Sequence, residues 1–332
     1  MKKIILFVLT FVLIMPNILW ATEQVSLKFD EEDSLVYFPM KERSGFILSN
    51  QSFYSSAQLN NKKSWEEENF TYARNDQLDS TVSDNVVSFR NYNYVIINAG
   101  EATENDFLTT NTEIWRLKKE NPQQFKQVLQ KESNESNYFV KLAKFKNKLY
   151  TITQNGSVYK TNNGINWIVL ASPSLPANTN VTDLVVSEKK LYLVANNITY
   201  SSINGQVWKR IKGDYRNENA QKAVVYNNQL YIYTINDNNK SSLWLKNNNE
   251  WEKILSGQKE MYLLKHINNK LYIIKNTTKN EQEASYSVLE SEDGLTFEKI
   301  YSGHGLATQM YKNKDDLVLI TSNNEKIFLL KL

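Results

Sequence analysis

Two ladders of residues run through this chain in step, and together they leave few folds open. Leu-Tyr follows a polar, Asn- or Lys-rich turn at Leu149-Tyr150, Leu191-Tyr192, Leu230-Tyr231 and Leu271-Tyr272, with Leu317-Val318 as a fifth copy; the leucines are 42, 39, 41 and 46 residues apart. An aromatic residue followed three places later by an aliphatic one recurs as Phe125 and Val128, Trp167 and Leu170, Trp208 and Ile211, Trp251 and Ile254, and Phe297 and Ile300; the aromatics are 42, 41, 43 and 46 apart. A shared period near forty marks a supersecondary unit that buries its faces by stacking on its neighbours.

Each unit reads as four short strands. In the unit starting at Val181 they are Val181–Val186, Leu191–Ala195, Ile198–Ser201 and Val207–Ile211, with Asn, Gly, Ser and Lys in the gaps. The second strand is apolar on both faces: "LYLVA", "LYIYT", "LYIIK", "LVLIT". A sheet wetted on one side would alternate, so these sheets are stacked between others. No segment has a helical period, which excludes α/β and helical solenoid folds. The expected fold is an all-β propeller of four-stranded blades in one domain, residues 22–332. "SFRNYNYVIINAG" and "TEIWRL" supply an earlier blade, and "SLVYFP", "GFILSN", "SFYSSA" and "SWEEEN" the first. The last unit lacks a fourth strand, and "QVSLKF" at 24–29 is spare. Pairing the two closes the ring and removes its open edges. The count is then seven blades, with six or eight still open because the first unit is the weakest.

Residues 1–21 stand apart. Lys2 and Lys3 precede an apolar run from Ile4 to Met15, Pro16 interrupts it, and Ala21 ends the segment. That is the pattern of a secretory signal peptide, too short and too broken to span a membrane. The expected location is exported, secreted or periplasmic. The sequence has no Cys. Neither disulfides nor a lipid-bearing cysteine is therefore expected. The formal net charge of +3 falls to +1 without Lys2 and Lys3. So nearly neutral a chain gives no electrostatic reason to expect a nucleic-acid or acidic-membrane partner.

Between third and fourth strands one phrase recurs: Thr161, Asn163, Gly164, Trp167; Ser202, Asn204, Gly205, Trp208; Ser291, Asp293, Gly294, Phe297. Asn-Gly and Asp-Gly favour tight turns because the turn needs positive φ, and the hydroxyl can bond the local backbone. These stretches resemble Asp-boxes, the turn motif of secreted sialidase-like (BNR-repeat) β-propellers. They cover three of seven units, and Asn163 and Asn204 stand where the motif has Asp. The resemblance implies a structural turn far from any active site.

A sialidase would further imply three arginines on a substrate carboxylate, the first in Phe/Tyr-Arg-Ile-Pro. The nearest stretch, Phe89-Arg90-Asn91-Tyr92, lacks Ile-Pro. Arg116 and Arg210 fall in third and fourth strands, away from the centre. No catalytic residues are assigned. His266, read as packed in an inner strand, and His304 in "SGHGL" are 38 residues apart. Neither has a companion at metal-ligand spacing, so no metal or cofactor is expected. The leading expectation is a secreted, non-catalytic scaffold binding a protein or carbohydrate; the alternative is a glycan-cleaving hydrolase of sialidase-like architecture. First and third turns are short and alike, whereas "GEATENDFLTT" at 100–110, "NTTKNEQEAS" at 276–285 and the blade linkers vary. Binding in repeat folds uses the edge whose loops vary. Phe107, Tyr215, Arg216 and His304 are the contact candidates on that edge. Cleavage is expected after Ala21; mass spectrometry of the exported protein should give Thr22 as first residue, and a chain retaining Met1 would refute it.

Overall fold

The computed structural model describes residues 22–26, 36–39, 44–47, 53–56, 65–68, 79–82, 86–102, 107–133, 137–211, 215, 218–248, 250–258, 260–278, 284–313, 316–322 and 326–331. Residues 1–21, where the signal peptide is expected, lie outside them. Seven antiparallel sheets follow along the chain, six of four strands and one of five. Blade 1 holds β2 (Val36–Pro39), β3 (Ser44–Ile47), β4 (Phe53–Ser56) and β5 (Trp65–Glu68). Blade 2 holds β6 (Asp79–Val82), β7 (Val87–Phe89), β8 (Tyr92–Ala102), β9 (Phe107–Lys118) and β10 (Asn121–Glu132). Blade 3 holds β11 (Phe139–Phe145), β12 (Lys148–Thr153), β13 (Val158–Thr161) and β14 (Trp167–Leu170). Blade 4 holds β15 (Val181–Val186), β16 (Leu191–Ala195), β17 (Ile198–Ser202) and β18 (Lys209–Arg210). Blade 5 holds β19 (Asn219–Tyr226), β20 (Gln229–Ile235), β21 (Lys240–Asn247) and β22 (Glu250–Gln258). Blade 6 holds β23 (Glu260–Ile267), β24 (Lys270–Thr278), β25 (Ala284–Ser291) and β26 (Glu298–His304). Blade 7 holds β27 (Leu306–Asn313), β28 (Asp316–Ser322) and β29 (Lys326–Lys331), and its outermost strand is β1 (Thr22–Ser26).

The ring therefore closes with both ends of the chain. β1 runs antiparallel to β29, from Thr22 opposite Leu330 to Ser26 opposite Lys326. The closing strand begins two residues before the expected segment. Blade 2 departs from the expected meander: β6 and β7 both pair with β8, at residues 97–100 and 92–94. No helix occurs among the described residues.

The core lies between blades rather than within them. Leu149 on β12 packs with Tyr94, Ile96 and Ile114 of blade 2, while Tyr150 and Ile152 of the same strand pack with Leu184, Leu191 and Leu193 of blade 4. On β24, Leu271 and Ile273 face blade 5, and Tyr272 and Ile274 face blade 7. All four are fully buried. Alternation puts consecutive side chains on opposite faces, so a strand buried on both sides must be apolar throughout. Each such Leu or Ile contributes about 1.5–3 kcal/mol on burial.

The recurring phrase forms the same turn three times. The Thr161 hydroxyl accepts from Gly164 N at 2.9 Å, and Asn163 Oδ1 accepts from Ile165 N and Asn166 N, both at 2.9 Å. Ser202 and Asn204 repeat this toward Gly205 N, Gln206 N and Val207 N at 2.8, 2.9 and 3.1 Å. Ser291 accepts from Gly294 N at 2.8 Å, and Asp293 Oδ1 from Leu295 N and Thr296 N at 2.7 Å. The Thr296 and Leu295 amides hold the Asp293 carboxyl down at about 2. An Asn carbonyl accepts the same two bonds without a charge, which is why Asn serves at the other two positions.

Each of these turns also carries a contact from the preceding blade. A Cβ on Gly164, Gly205 or Gly294 would overlap Tyr94, Tyr150 or Tyr231, respectively. The Tyr150 hydroxyl donates to Asn204 O at 3.3 Å. Arg90 and Lys146, from the first turns of blades 2 and 3, donate to Asn162 O at 2.9 Å and Ile203 O at 3.0 Å. The tyrosine of one blade's second strand thus fills the space left by the glycine of the next blade's phrase. The first turns of blades 3, 5 and 6 hold positive φ at both central residues, Lys146-Asn147, Asn227-Asn228 and Asn268-Asn269. Gly205→Val should lower stability by about 2–4 kcal/mol, because φ of +76° is strained for a β-branched residue and Tyr150 occupies the space. Urea unfolding checks this, and a parent-like midpoint would show that the tyrosine contact carries little.

Candidate functional site

The chain direction assigns each turn to an edge. First and third turns lie on one edge of the ring; second turns and blade linkers lie on the other. Two of the loops expected to be long there are largely strand. In blade 2 the ladder continues through Gly100 with Thr109, Glu101 with Leu108 and Ala102 with Phe107. In blade 6 it continues to Thr278 opposite Ala284. Only 103–106 and 279–283 remain between strands, both outside the described residues. The apparent loops are projecting hairpins, built from Thr and apolar residues that extend a ladder readily.

The four contact candidates fare differently. Phe107 opens β9 on the linker edge, with its backbone opposite Ala102. His304 is the last residue of β26 rather than part of a linker; it is exposed and lines a polar hollow of about 570 Å³ with Lys275 and Lys299. Arg216 lies outside the described residues. Tyr215 corrects the expectation of a surface contact. It is 1 % exposed, packed among Val194, Ile232 and Trp244. Its ring stands edge-on to Trp251 at 5.3 Å, and its hydroxyl lies 3.4 Å from Thr199 Oγ1. An apolar ring with one polar atom is well suited to such a site, so Tyr215 plugs the core between blades 4 and 5. His266 is also corrected: it lies on inner strand β23 but is exposed, with its ring edge-on to Tyr226 at 5.2 Å.

Sequence reasoning missed the cavity that stands out on the linker edge. It encloses about 330 Å³ where β19, β23 and β27 begin, walled by Tyr233, Ile235, Leu263 and Leu306, with Lys222 and Asn276 as polar members. Bulges shape it: the ladder slips between Ala220 and Lys222 and between Ala307 and Gln309, leaving Gln221 and Thr308 on its rim. The one visible signal was an apolar residue ending the second strand, Ile235 in "LYIYTI".

Polar groups tie the inner strands of neighbouring blades together around this edge of the ring. Asn276 clasps Ala307 across the blade boundary, donating to its O at 2.8 Å and accepting from its N at 2.9 Å. Asp183 accepts from Leu184 N at 2.8 Å and from Ala223 N of the next blade at 2.9 Å. The Thr112 hydroxyl accepts from Phe139 N at 3.0 Å. The described arginines lie elsewhere: Arg116 covers the Tyr92 ring at 4.3 Å, Arg90 caps a blade 3 turn, and Arg210 is exposed on outer strand β18. Among the described residues no group of three or more His, Cys, Asp or Glu is placed to hold a metal.

Behind the cavity, blade 5 holds a buried carboxylate, Glu218, 5 % exposed. The Thr234 hydroxyl donates to Oε2, the Trp244 indole lies 3.1 Å from the same oxygen, and Lys253 Nζ lies 2.8 Å from Oε1. Burial works to raise this carboxyl; the Lys253 ammonium and the donors Thr234, Trp244 and Ser242 outweigh it and hold the carboxyl below its ordinary value. A depressed folded value stabilises fully above the unfolded value of 4.5, and that stability is lost as pH falls through the folded value. Glu218→Gln should therefore cost about 2–3 kcal/mol at neutral pH and progressively less in acid. Urea titrations at both pH values check this, and a pH-independent difference would assign the stabilisation to another group.

No protein-family model matches the sequence, and no curated protein matches it. Solved structures do. YCF48 bound to a D1 peptide aligns with a TM-score of 0.61 at 12% identity, over 94% of this chain and 95% of that one. YCF48 from Cyanidioschyzon merolae aligns at 0.58 and 11%, over 93% and 98%. The N-terminal domain of Nup159 aligns at 0.52 and 10%, over 92% and 90%. At these identities the likeness carries the fold alone, and the chain is a β-propeller.

Proposed function

We propose that this protein is an exported, non-catalytic scaffold that captures a protein partner by an extended peptide segment on the linker edge. The observation that carries this reading is the cavity at the mouth of β19, β23 and β27. Its walls are mainly apolar, and its size fits side chains of a peptide rather than a folded surface. An apolar side chain would lie against Tyr233, Ile235, Leu263 and Leu306. Lys222 on the wall would favour an acidic residue beside it. A sugar would be better served by exposed ring faces and paired polar groups, whereas Tyr233 is 3 % exposed. A structural neighbour that holds a peptide adds support by analogy of fold only. Export rests on the leader pattern of residues 1–21; β1 begins at Thr22, directly after the expected cleavage position. Phe107 and His304 stay as outlying contact candidates on the same edge.

The test is to pan a displayed library of random peptides against the folded protein. Enriched peptides should pair an apolar residue with an acidic one. Ile235→Lys and Lys222→Glu should each weaken binding by about tenfold or more, near 1.4 kcal/mol, with the melting temperature little changed. Leu295→Ser, on the opposite edge, should leave affinity intact. Peptides that bind Ile235→Lys as tightly as the parent, or an absence of enrichment, would reject the site.

A further inference from the structure

Every blade ends in an outer strand whose far edge has no partner within its sheet. Six of these strands carry charge: β5 is "WEEE", β18 is "KR", β10, β22 and β26 mix Lys and Glu, and β1 carries Glu23. Charges on an edge oppose pairing with another strand. The seventh, β14, is "WIVL" and carries none. It also exposes its apolar side chains: Ile168 is 52 % and Val169 65 % exposed, one on each face of the sheet. The turn leading into it adds Ile165 at 47 %, and the turn of blade 4 on the same edge of the ring adds Ile203 at 61 % and Val207 at 60 %.

From this we infer that β14 is an interaction edge, and that its occupant is β14 of a second copy of this chain. An open strand edge is completed by another strand, and two identical edges meet antiparallel about a two-fold axis. Across that axis each strand faces its own sequence. Self-pairing of β18 would set Lys209 against Arg210 of the other copy, and self-pairing of β5 would set Glu66 against Glu67. Only β14 among the seven outer strands meets itself with no charged residue anywhere in the pair, Ile168 lying opposite Val169 of the other copy and Trp167 opposite Leu170. The contact is short, so the dimer is weak and reversible. It uses the ring's rim, which leaves the linker edge of both copies open.

The test uses the mature chain, residues 22–332, in sedimentation velocity over a wide concentration range. A concentration-dependent dimer is expected. Ile168→Lys and Val169→Lys should each weaken association by roughly tenfold or more while the melting temperature stays near the parent's, because both side chains are already exposed. Amide exchange should protect β14 in concentrated but not in dilute samples. A parent that stays monomeric throughout overturns the inference. So does a dimer that survives both lysine variants, or one in which β14 amides are never protected.

Discussion

The apolar core of this protein lies between its blades, so each blade is stabilised chiefly by being pressed between its neighbours. Tyr150 shows the dependence in one residue. It rises from the second strand of blade 3, fills the space left by Gly205 in blade 4, and donates to the backbone there. Tyr94 and Tyr231 fill the space beneath Gly164 and Gly294 in the same way. A glycine without its tyrosine leaves a void, and a tyrosine without its glycine has nowhere to go. At Tyr150 with Gly205 and at Tyr231 with Gly294, the Leu-Tyr step and the phrase are two halves of one joint.

That joint frees the opposite edge. With the first and third turns locked, the linker edge has to be ordered by other means, and it uses polar clasps. Asp183 and Asn276 each take backbone groups of the following blade, and Gln154 O and Asn196 O receive Val181 N and Ala220 N at 2.8 and 2.6 Å. These bonds hold the inner strands apart at defined spacing, and the bulges between them open the cavity. One edge is therefore fixed by shape and the other by hydrogen bonds. Hydrogen-bonded backbone tolerates changes in the side chains around it, so the linker edge is the one free to vary in what it presents.

The architecture was legible because it rests on patterns that sequence displays directly. Apolar second strands such as "LYIIK" announced burial on both faces, and β15, β16 and the strands of blade 1 fall close to where the spacing puts them. The spare N-terminal strand was visible as an unmatched element. What failed was anything decided by three-dimensional neighbours. Tyr215 follows a linker Asp and reads as surface, yet Val194 and Trp244 close over it. His304 reads as linker, yet the ladder of blade 6 reaches it. The cavity was invisible because its walls come from three blades, and its opening depends on two bulges that no residue pattern marks.

The pairing of β1 with β29 has a consequence in time as well as in space. The first strand of the fold to be synthesised is the last that can be placed, since its only sheet partner comes at the far end of the chain. Until then six blades can assemble in order, each on the one before, but the assembly stays an open arc with a bare sheet face at each end. Loop-closure entropy opposes the final step, and the topology is of the slow-folding, non-local kind. For a chain threaded across a membrane before it folds, that order is an advantage. In export of the kind proposed above, the leading segment would stay unpaired while the rest of the chain arrived, and the ring would lock only once the whole molecule was on the same side.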